Sequence, residues 1–252
     1  MFDLKDRVAL VTGGNGGIGL GFARGLARSG AAVMLAGRDA SKNAAAVAEL
    51  RALGARAEAV QADITDQEAI RTMVEATVAG FGRLDILVNN AGTNIRRPPD
   101  QVSLQDWHTV LDTNVTSAMF AAQAAYPHLK AHGVGRVINN GSMLSIFGMP
   151  LHAAYAASKG AVVQLTKALA TAWTREGVTV NCVLPGWIDT DLTRATRRDI
   201  PGLEESVVKR TPAGRWGHAA EFEGIAAFLA SDAAAFISGA AIPVDGGYAI
   251  QG

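Results

Sequence analysis

Seven short apolar runs separated by stretches of helical periodicity constrain this chain more than any other feature. They are RVALVT at 7–12, AAVMLAG at 31–37, AEAV at 57–60, LDILVNN at 84–90, RVINNGS at 136–142, VTVNCVLP at 178–185 and AAIPVDGG at 240–247. Strands apolar on both faces and joined by helices, such as those expected over 41–54 and 66–80, belong in a parallel sheet covered on both sides. The expectation is a single doubly wound α/β domain of the Rossmann type over 1–252, with about seven strands and helices on both faces. No linker, charge block or internal repeat divides the 252 residues, and a chain of that length buries one large core.

Ligands of such sheets sit beyond the carboxyl ends of the strands, and the first run leads straight into the cluster Gly13-Gly14-Asn15-Gly16-Gly17-Ile18-Gly19. Glycines there let backbone approach a pyrophosphate, and the helix that follows offers it free N–H groups and a positive dipole end. A dinucleotide is the expected guest. Two glycine frames stay open from sequence: Gly14, Gly16 and Gly19, or Gly13, Gly17 and Gly19.

The cofactor choice turns on the end of the second run, where an acidic residue suits the ribose of NAD and an arginine suits the extra phosphate of NADP. Gly37 holds the acidic position and Arg38 follows, which favours NADP. NAD stays open because Asp39 can either reach the ribose or cap the next helix, and Asn15 adds no second positive charge.

Tyr155 and Lys159, in YAASK, lie one helical turn apart and share a face. A phenol ionises near pH 10, so a neighbouring ammonium is what makes it a proton carrier at neutral pH. The balance of 23 basic and 23 acidic residues leaves no electrostatic footprint for nucleic acid or an anionic membrane. No H-E-x-x-H or C-x-x-C motif calls for a metal, and the five histidines are scattered. Cys182, the only cysteine, reads as a small buried strand residue and forms no internal disulfide. The opening MFDLKDR lacks the apolar core of a signal peptide, and no apolar run reaches the roughly 18 residues of a spanning helix. A cytoplasmic enzyme is expected.

Taken in order, Thr12-Gly13 with Gly17 and Gly19, Asp63, Asn89-Asn90-Ala91-Gly92, Asn114, Ser142, Tyr155 with Lys159, and Pro185-Gly186 with Thr190 resemble the short-chain dehydrogenase/reductase family. The resemblance covers nearly the whole chain. It implies that Asn114, Ser142, Tyr155 and Lys159 are catalytic: Tyr155 exchanges a proton with the alcohol or ketone, Lys159 holds the phenolate, Ser142 bonds the substrate oxygen, and Asn114 positions a water. It also implies cofactor contacts from Gly13, Asn15, Gly17, Ile18, Gly19 and Arg38, from Asp63 and Ile64 at the adenine, and from Asn90, Ala91 and Gly92 at the ribose. Pro185, Gly186, Ile188 and Thr190 line the nicotinamide, and Tyr155 and Lys159 complete that set. A homotetramer is implied too, built on 240–252 and the helices near 103–131 and 153–176.

For the substrate, the loop Asn94-Ile95-Arg96-Arg97 places two guanidiniums near the expected mouth, where either can grip a carboxylate, face solvent or support a subunit contact. Ser142, Met143, His152 and Trp187 join Asn94, Arg96 and Arg97 as candidate substrate residues. With His152 the alternative is a surface residue at a helix edge. The stretch 187–210, with Leu192, Ile200 and Leu203, reads as a lid. This loop, the Ser142-Met143-Leu144-Ser145 run and the 209–217 segment are similar to the branch of gluconate 5-dehydrogenases and 2-deoxygluconate 3-dehydrogenases. A sugar acid, sugar or polyol is therefore expected; 3-oxoacyl thioesters, steroids and cyclic ketones share the same catalytic set, and a non-catalytic dinucleotide-binding scaffold is the third class.

Overall fold

The computed structural model describes residues 2–251, apart from the side chains of Leu192 and Ala195. The side chain of Leu192, expected on the lid's apolar face, and Gly252, at the end of the expected interface segment, lie outside the described residues. One sheet runs through the molecule. Its strands are β1 (Val8–Thr12), β2 (Ala32–Gly37), β3 (Ala57–Gln61), β4 (Ile86–Asn89), β5 (Gly135–Asn140), β6 (Val178–Pro185) and β7 (Ala241–Val244), in the order β3-β2-β1-β4-β5-β6-β7. Every pairing is parallel, as the doubly apolar runs demand. β1 pairs with β2 at Val8↔Ala32 and with β4 at Ala9↔Ile86, so the winding reverses between β1 and β4 and opens a crevice beyond their ends.

Alternate residues of each strand serve opposite cores. Ala9 and Val11 face α1 (Gly17–Arg28), α2 (Ala40–Ala52) and α9 (Glu223–Ala230), where Phe22, Leu26, Leu50, Phe222 and Leu229 are buried. Leu10 and Leu87 face α3 (Gln67–Phe81), α5 (Ser117–Lys130) and α6 (Ala153–Trp173), with Met73, Ala121, Ala125 and Leu169. Phe22 meets Phe222 edge to face, with ring centroids 5.6 Å apart, a contact contributing about 0.5–1.5 kcal/mol beyond area burial. α1 approaches its neighbours so closely that a Cβ on Gly21 or Gly25 would stand 2.1 Å from the carbonyl oxygens of Ala219 and Glu223.

Local chemistry sets the element ends. Asp39 caps α2 by accepting from the amides of Ser41 and Lys42, and Asp66 caps α3 through Glu68 N at 2.9 Å. α3 stops at Gly82 with φ of 83°, a left-handed turn that glycine adopts without strain. The helical region expected over 103–131 is split into α4 (Leu104–Leu111), a π turn at Asp112–Thr116 and α5. The expected lid folds as α7 (Asp191–Asp199) and α8 (Leu203–Arg210). Among the described residues no helix is long and apolar enough to cross a membrane.

Candidate active site

At the crevice, Thr12 ends β1 by binding the start of the loop that follows β4: its hydroxyl donates to Val88 O and accepts from the amides of Asn90 and Ala91 at 3.0 and 3.1 Å. Asn90 returns the link, its Nδ2 donating to Thr12 O and Gly13 O at 3.0 Å each. The backbone chooses between the two glycine frames. Gly13 and Gly17 have φ of 61° and 51°, the left-handed region that glycine favours, whereas Gly14, packed on Leu35 and Val11, and Gly16, facing open space, have no positive φ; Gly19, common to both frames, is pressed against Gly13 O. The backbone conformation singles out the frame Gly13, Gly17 and Gly19.

At the end of β2, Gly37 leaves no room for a carboxylate. A Cβ there would lie 2.5 Å from Asn15 Nδ2 and 2.7 Å from Asn43 Oδ1, two amides that are themselves joined at 2.6 Å. Asp39, the residue left open between two roles, is spent as a helix cap, and its hydrogen bonds from Ser41 and Lys42 hold its pKa below the usual carboxylate value. Asp63 is likewise held low, first by the amide and hydroxyl of Thr65. Gly37, Arg38, Ala62, Asp63 and Ile64 border a cavity of about 340 Å³. It shares Asn15, Asn90, Gly92 and Thr93 with a cleft of about 300 Å³ that extends along Gly17, Ile18 and Gly19 to Ser142, Tyr155, Lys159, Pro185, Gly186, Ile188 and Thr190.

Within the cleft, Tyr155 and Lys159 stand in the first turns of α6, with the Lys159 ammonium 5.6 Å from the Tyr155 ring centre. Lys159 is almost wholly buried; its Nζ donates to Asn140 O at 2.7 Å, and burial lowers its pKa from 10.5 to about 8. Burial raises the Tyr155 pKa, and the adjacent Ser142 hydroxyl offsets part of the rise. Ser142 opens a short 3-10 turn, its Oγ accepting from Leu144 N at 3.1 Å. Asn114 lies in the π turn, where its amide is clamped to Thr93 N and O at 2.8 and 2.9 Å and to Ser158 Oγ at 2.9 Å. The turn brings Asn114 against Gly92, beside Lys159.

An apolar wall stands next to Tyr155, formed by Met143, Leu144, Phe147, Trp187 and Tyr248. His152 is buried rather than at the surface: its Nδ1 meets Pro150 O at 2.7 Å and its ring lies edge-on to Tyr155 at 6.5 Å. Arg97 N donates to Leu151 O, which draws the 93–97 loop against the α6 entrance. Arg96 pairs with Asp199 of α7 at 3.0 Å, and its Nη1 is buried without a partner, as are Asn94 Oδ1 and Trp187 Nε1. Arg97 is half-exposed and turns to Asp106 of α4 at 3.5 Å. Sequence reasoning missed Asn43, Asn140, Ser158, Phe147 and Tyr248; Asn43, inside a helix far from any glycine motif, carried no local signal. Cys182 is fully buried, its thiol pushed up to about 11 by burial, which matches its reading as a strand residue.

A family profile described as enoyl-(acyl carrier protein) reductase matches residues 13–249. The gluconate 5-dehydrogenase of Gluconobacter oxydans is 41% identical over 251 residues, covering 100% of this chain and 98% of that protein. The 2-dehydro-3-deoxy-D-gluconate 5-dehydrogenase of Escherichia coli is 38% identical, covering 98% and 97%. A crystal structure of a gluconate 5-dehydrogenase from Burkholderia cenocepacia, in complex with NADP and tartrate, superposes with a TM-score of 0.94 at 40% identity, covering 100% of this chain and 98% of that one. With the reversal between β1 and β4, the glycine cradle and the Ser142, Tyr155 and Lys159 cluster already in place, these matches show that the chain belongs to the short-chain dehydrogenase/reductase family of NAD(P)-dependent oxidoreductases.

Proposed function

We propose that this protein is an NADP-dependent oxidoreductase that interconverts a secondary alcohol and a ketone on a sugar acid, with neutral sugars and polyols as the next class. The observation that carries the proposal is that Ser142, Tyr155 and Lys159 share one cleft with the glycine loop. The loop bearing Arg96, with its unpaired Nη1, stands at the α6 entrance. Similar proteins named for gluconate and 2-dehydro-3-deoxygluconate support the substrate class, and the relative crystallised with NADP supports the cofactor.

The residues fit a dinucleotide, because the glycine loop packs so tightly on Asn90 and Ala91 that no Cβ fits at Gly13 or Gly19, which leaves bare backbone lining the connected cleft and cavity. Gly13, Asn15, Gly17, Ile18 and Gly19 hold the diphosphate, and Arg38 meets the extra phosphate of NADP. Asp63 and Ile64 flank the adenine; Asn90, Ala91 and Gly92 flank ribose; Pro185, Gly186, Ile188 and Thr190 line the nicotinamide. Asp39, committed to its cap, gives NAD no acidic partner. When bound, the cofactor would accept a hydride at its nicotinamide as NADP⁺ in alcohol oxidation and supply one as NADPH in ketone reduction.

In the oxidation direction Tyr155, as phenolate, takes the alcohol proton, and in reduction it returns one. Lys159 favours the phenolate by its charge, and Ser142 donates a hydrogen bond to the substrate oxygen. Asn114, its amide committed to Thr93 and Ser158, uses its backbone to seat a water between Lys159 and solvent. Arg96 grips the substrate carboxylate, while Asn94, Met143, His152 and Trp187 shape the pocket. Arg97, engaged by Asp106, has the lesser role. Residues 187–210 act as the lid of this single domain, and a cytoplasmic homotetramer is the working form.

The test is nicotinamide turnover across sugar acids, neutral sugars, polyols, cyclic ketones and oxoacyl thioesters, with NADP and NAD couples. Turnover of gluconate-like acids with NADP is expected, and Tyr155→Phe should reduce it by about 10²–10⁴-fold. Activity only on thioesters or hydrophobic ketones overturns the substrate class, and Tyr155→Phe with undiminished turnover overturns the chemistry.

A further inference from the structure

Asn140 closes β5 beside the end of β4, and its backbone and side chain are engaged in opposite directions. Its carbonyl oxygen accepts from the Lys159 ammonium at 2.7 Å, while its Nδ2 donates to Asn90 Oδ1 at 2.9 Å. Chemistry fixes the orientation of both amides. Asn90 faces the carbonyls of Thr12 and Gly13, which can only accept, so it must present Nδ2 to them and Oδ1 to Asn140. Asn140 must answer with its own Nδ2. What remains, Asn140 Oδ1, is buried with no hydrogen-bond partner. An unpaired buried acceptor works against stability, and a β-branched aliphatic residue would suit the end of a parallel strand without that cost. The amide is poorly explained as packing and well explained as a link.

The link has two ends with different chemistry. On one side Asn90 Nδ2 occupies the space 2.4 Å from where a Gly19 Cβ would stand, so a shift of this amide moves the floor of the glycine loop. On the other side is Lys159, faced by the Tyr155 ring from its own helix, by Gly92 and Asn114 from the loop and π turn, and by the Cys182 thiol of β6. That thiol is neutral at physiological pH, and no carboxylate among the described residues pairs with Lys159. The Asn140 carbonyl is its polar anchor.

We infer that Asn140 is a positioning residue that couples the glycine loop to the Lys159 ammonium, so that seating the dinucleotide and setting the Tyr155 proton transfer are one event. The inference rests on the catalytic reading of Tyr155 and Lys159. Asn140→Val removes the donor; Asn140→Asp keeps the shape without the donor and serves where the first variant folds poorly. Fluorescence titration with NADPH, without substrate, should show about tenfold weaker binding for either variant. The double variant Asn90→Ala with Asn140→Val should lose no more affinity than the worse single change, as residues acting in series do. Ultraviolet titration of the phenolate, with Tyr155→Phe as the blank, should show the Tyr155 midpoint moving to higher pH by about half a unit or more in Asn140→Val, because a less firmly held Lys159 Nζ, which faces the ring and keeps N–H donors whether charged or neutral, stabilises the anion less. A loss of thermal stability with NADPH affinity or the Tyr155 midpoint unchanged overturns the coupling, as does simple additivity in the double variant. Neither readout uses turnover, so a Tyr155→Phe enzyme that still turns over would sink the catalytic reading while the two titrations continue to decide the coupling.

Discussion

Lys159 holds a charge where water has been removed, and that has opposite consequences for stability and for chemistry. Its pKa falls from 10.5 to about 8 on burial, so the folded chain binds this proton less readily than the unfolded one. The group's contribution therefore worsens as pH falls from 10.5 through about 8 and is fully unfavourable below that. Lys159→Met should raise the unfolding free energy at neutral pH by about 2 kcal/mol, an advantage that fades toward alkaline pH in denaturant titrations. The same variant should lose turnover, placing stability and activity in direct opposition at one side chain. Arg96 poses a different question, since one face of its guanidinium holds Asp199 and Nη1 has no partner. Arg96→Ala should raise KM for a carboxylate substrate by about 10-fold or more while leaving KM for a neutral polyol within about twofold. Equal effects on both substrates would make the residue a lid support only. Tyr155 and Lys159 were legible because their spacing is local, and the burial that shifts both pKa values was not, because it comes from distant segments, with Asn140 and Cys182 at Lys159 and the cluster of Met143, Leu144 and Tyr248 at Tyr155.

At the scale of elements, the turn between β1 and α1 carries its specification in two kinds of glycine. Gly19 is pressed against Gly13 O and Asn90, whereas Gly16, equally part of a glycine motif, has an extended φ of -178° and open space within 4 Å of where a methyl group on its Cα would stand. Gly19→Ala should weaken NADPH binding by about tenfold or more, and Gly16→Ala should stay within about twofold, measured by fluorescence titration. If the two variants bind alike, the tight contact at Gly19 does not shape the cofactor seat. The two frames were indistinguishable in sequence because a motif records spacing, while the choice lies in φ angles and in a contact with Asn90, more than 70 residues away. The strands were legible from their apolar runs, and the break between α4 and α5 was not: the π turn inserts no proline or glycine, and it is held by Asn114 reaching Thr93 and Ser158. His152 was legible as a candidate but its burial was not, for a similar reason: it arises from packing against Tyr155 and Pro150.

For the whole molecule, the apolar side chains left in water bear on the proposed tetramer. Phe236 and Ile250 are 103% and 85% exposed near β7, and Leu104 is 72% exposed at the start of α4. The proposed tetramer with two-fold symmetry requires two interfaces, and the segments that carry these residues, around β7 and at the start of α4, are the ones proposed to supply them. Sedimentation should return a tetramer, and Phe236→Glu should reduce it to a smaller species; a monomer at micromolar concentration would refute the arrangement. The parallel sheet also bears on how the chain comes into being. β1 is the first strand synthesised and it lies inside the sheet, yet one of its two neighbours, β4, begins only at Ile86. No hairpin shortens that wait, because every connection crosses over. Until Ile86 to Asn89 have left the ribosome, the nascent chain carries a strand destined for full burial with one edge bare, and that interval leaves it open to aggregation and chaperone capture.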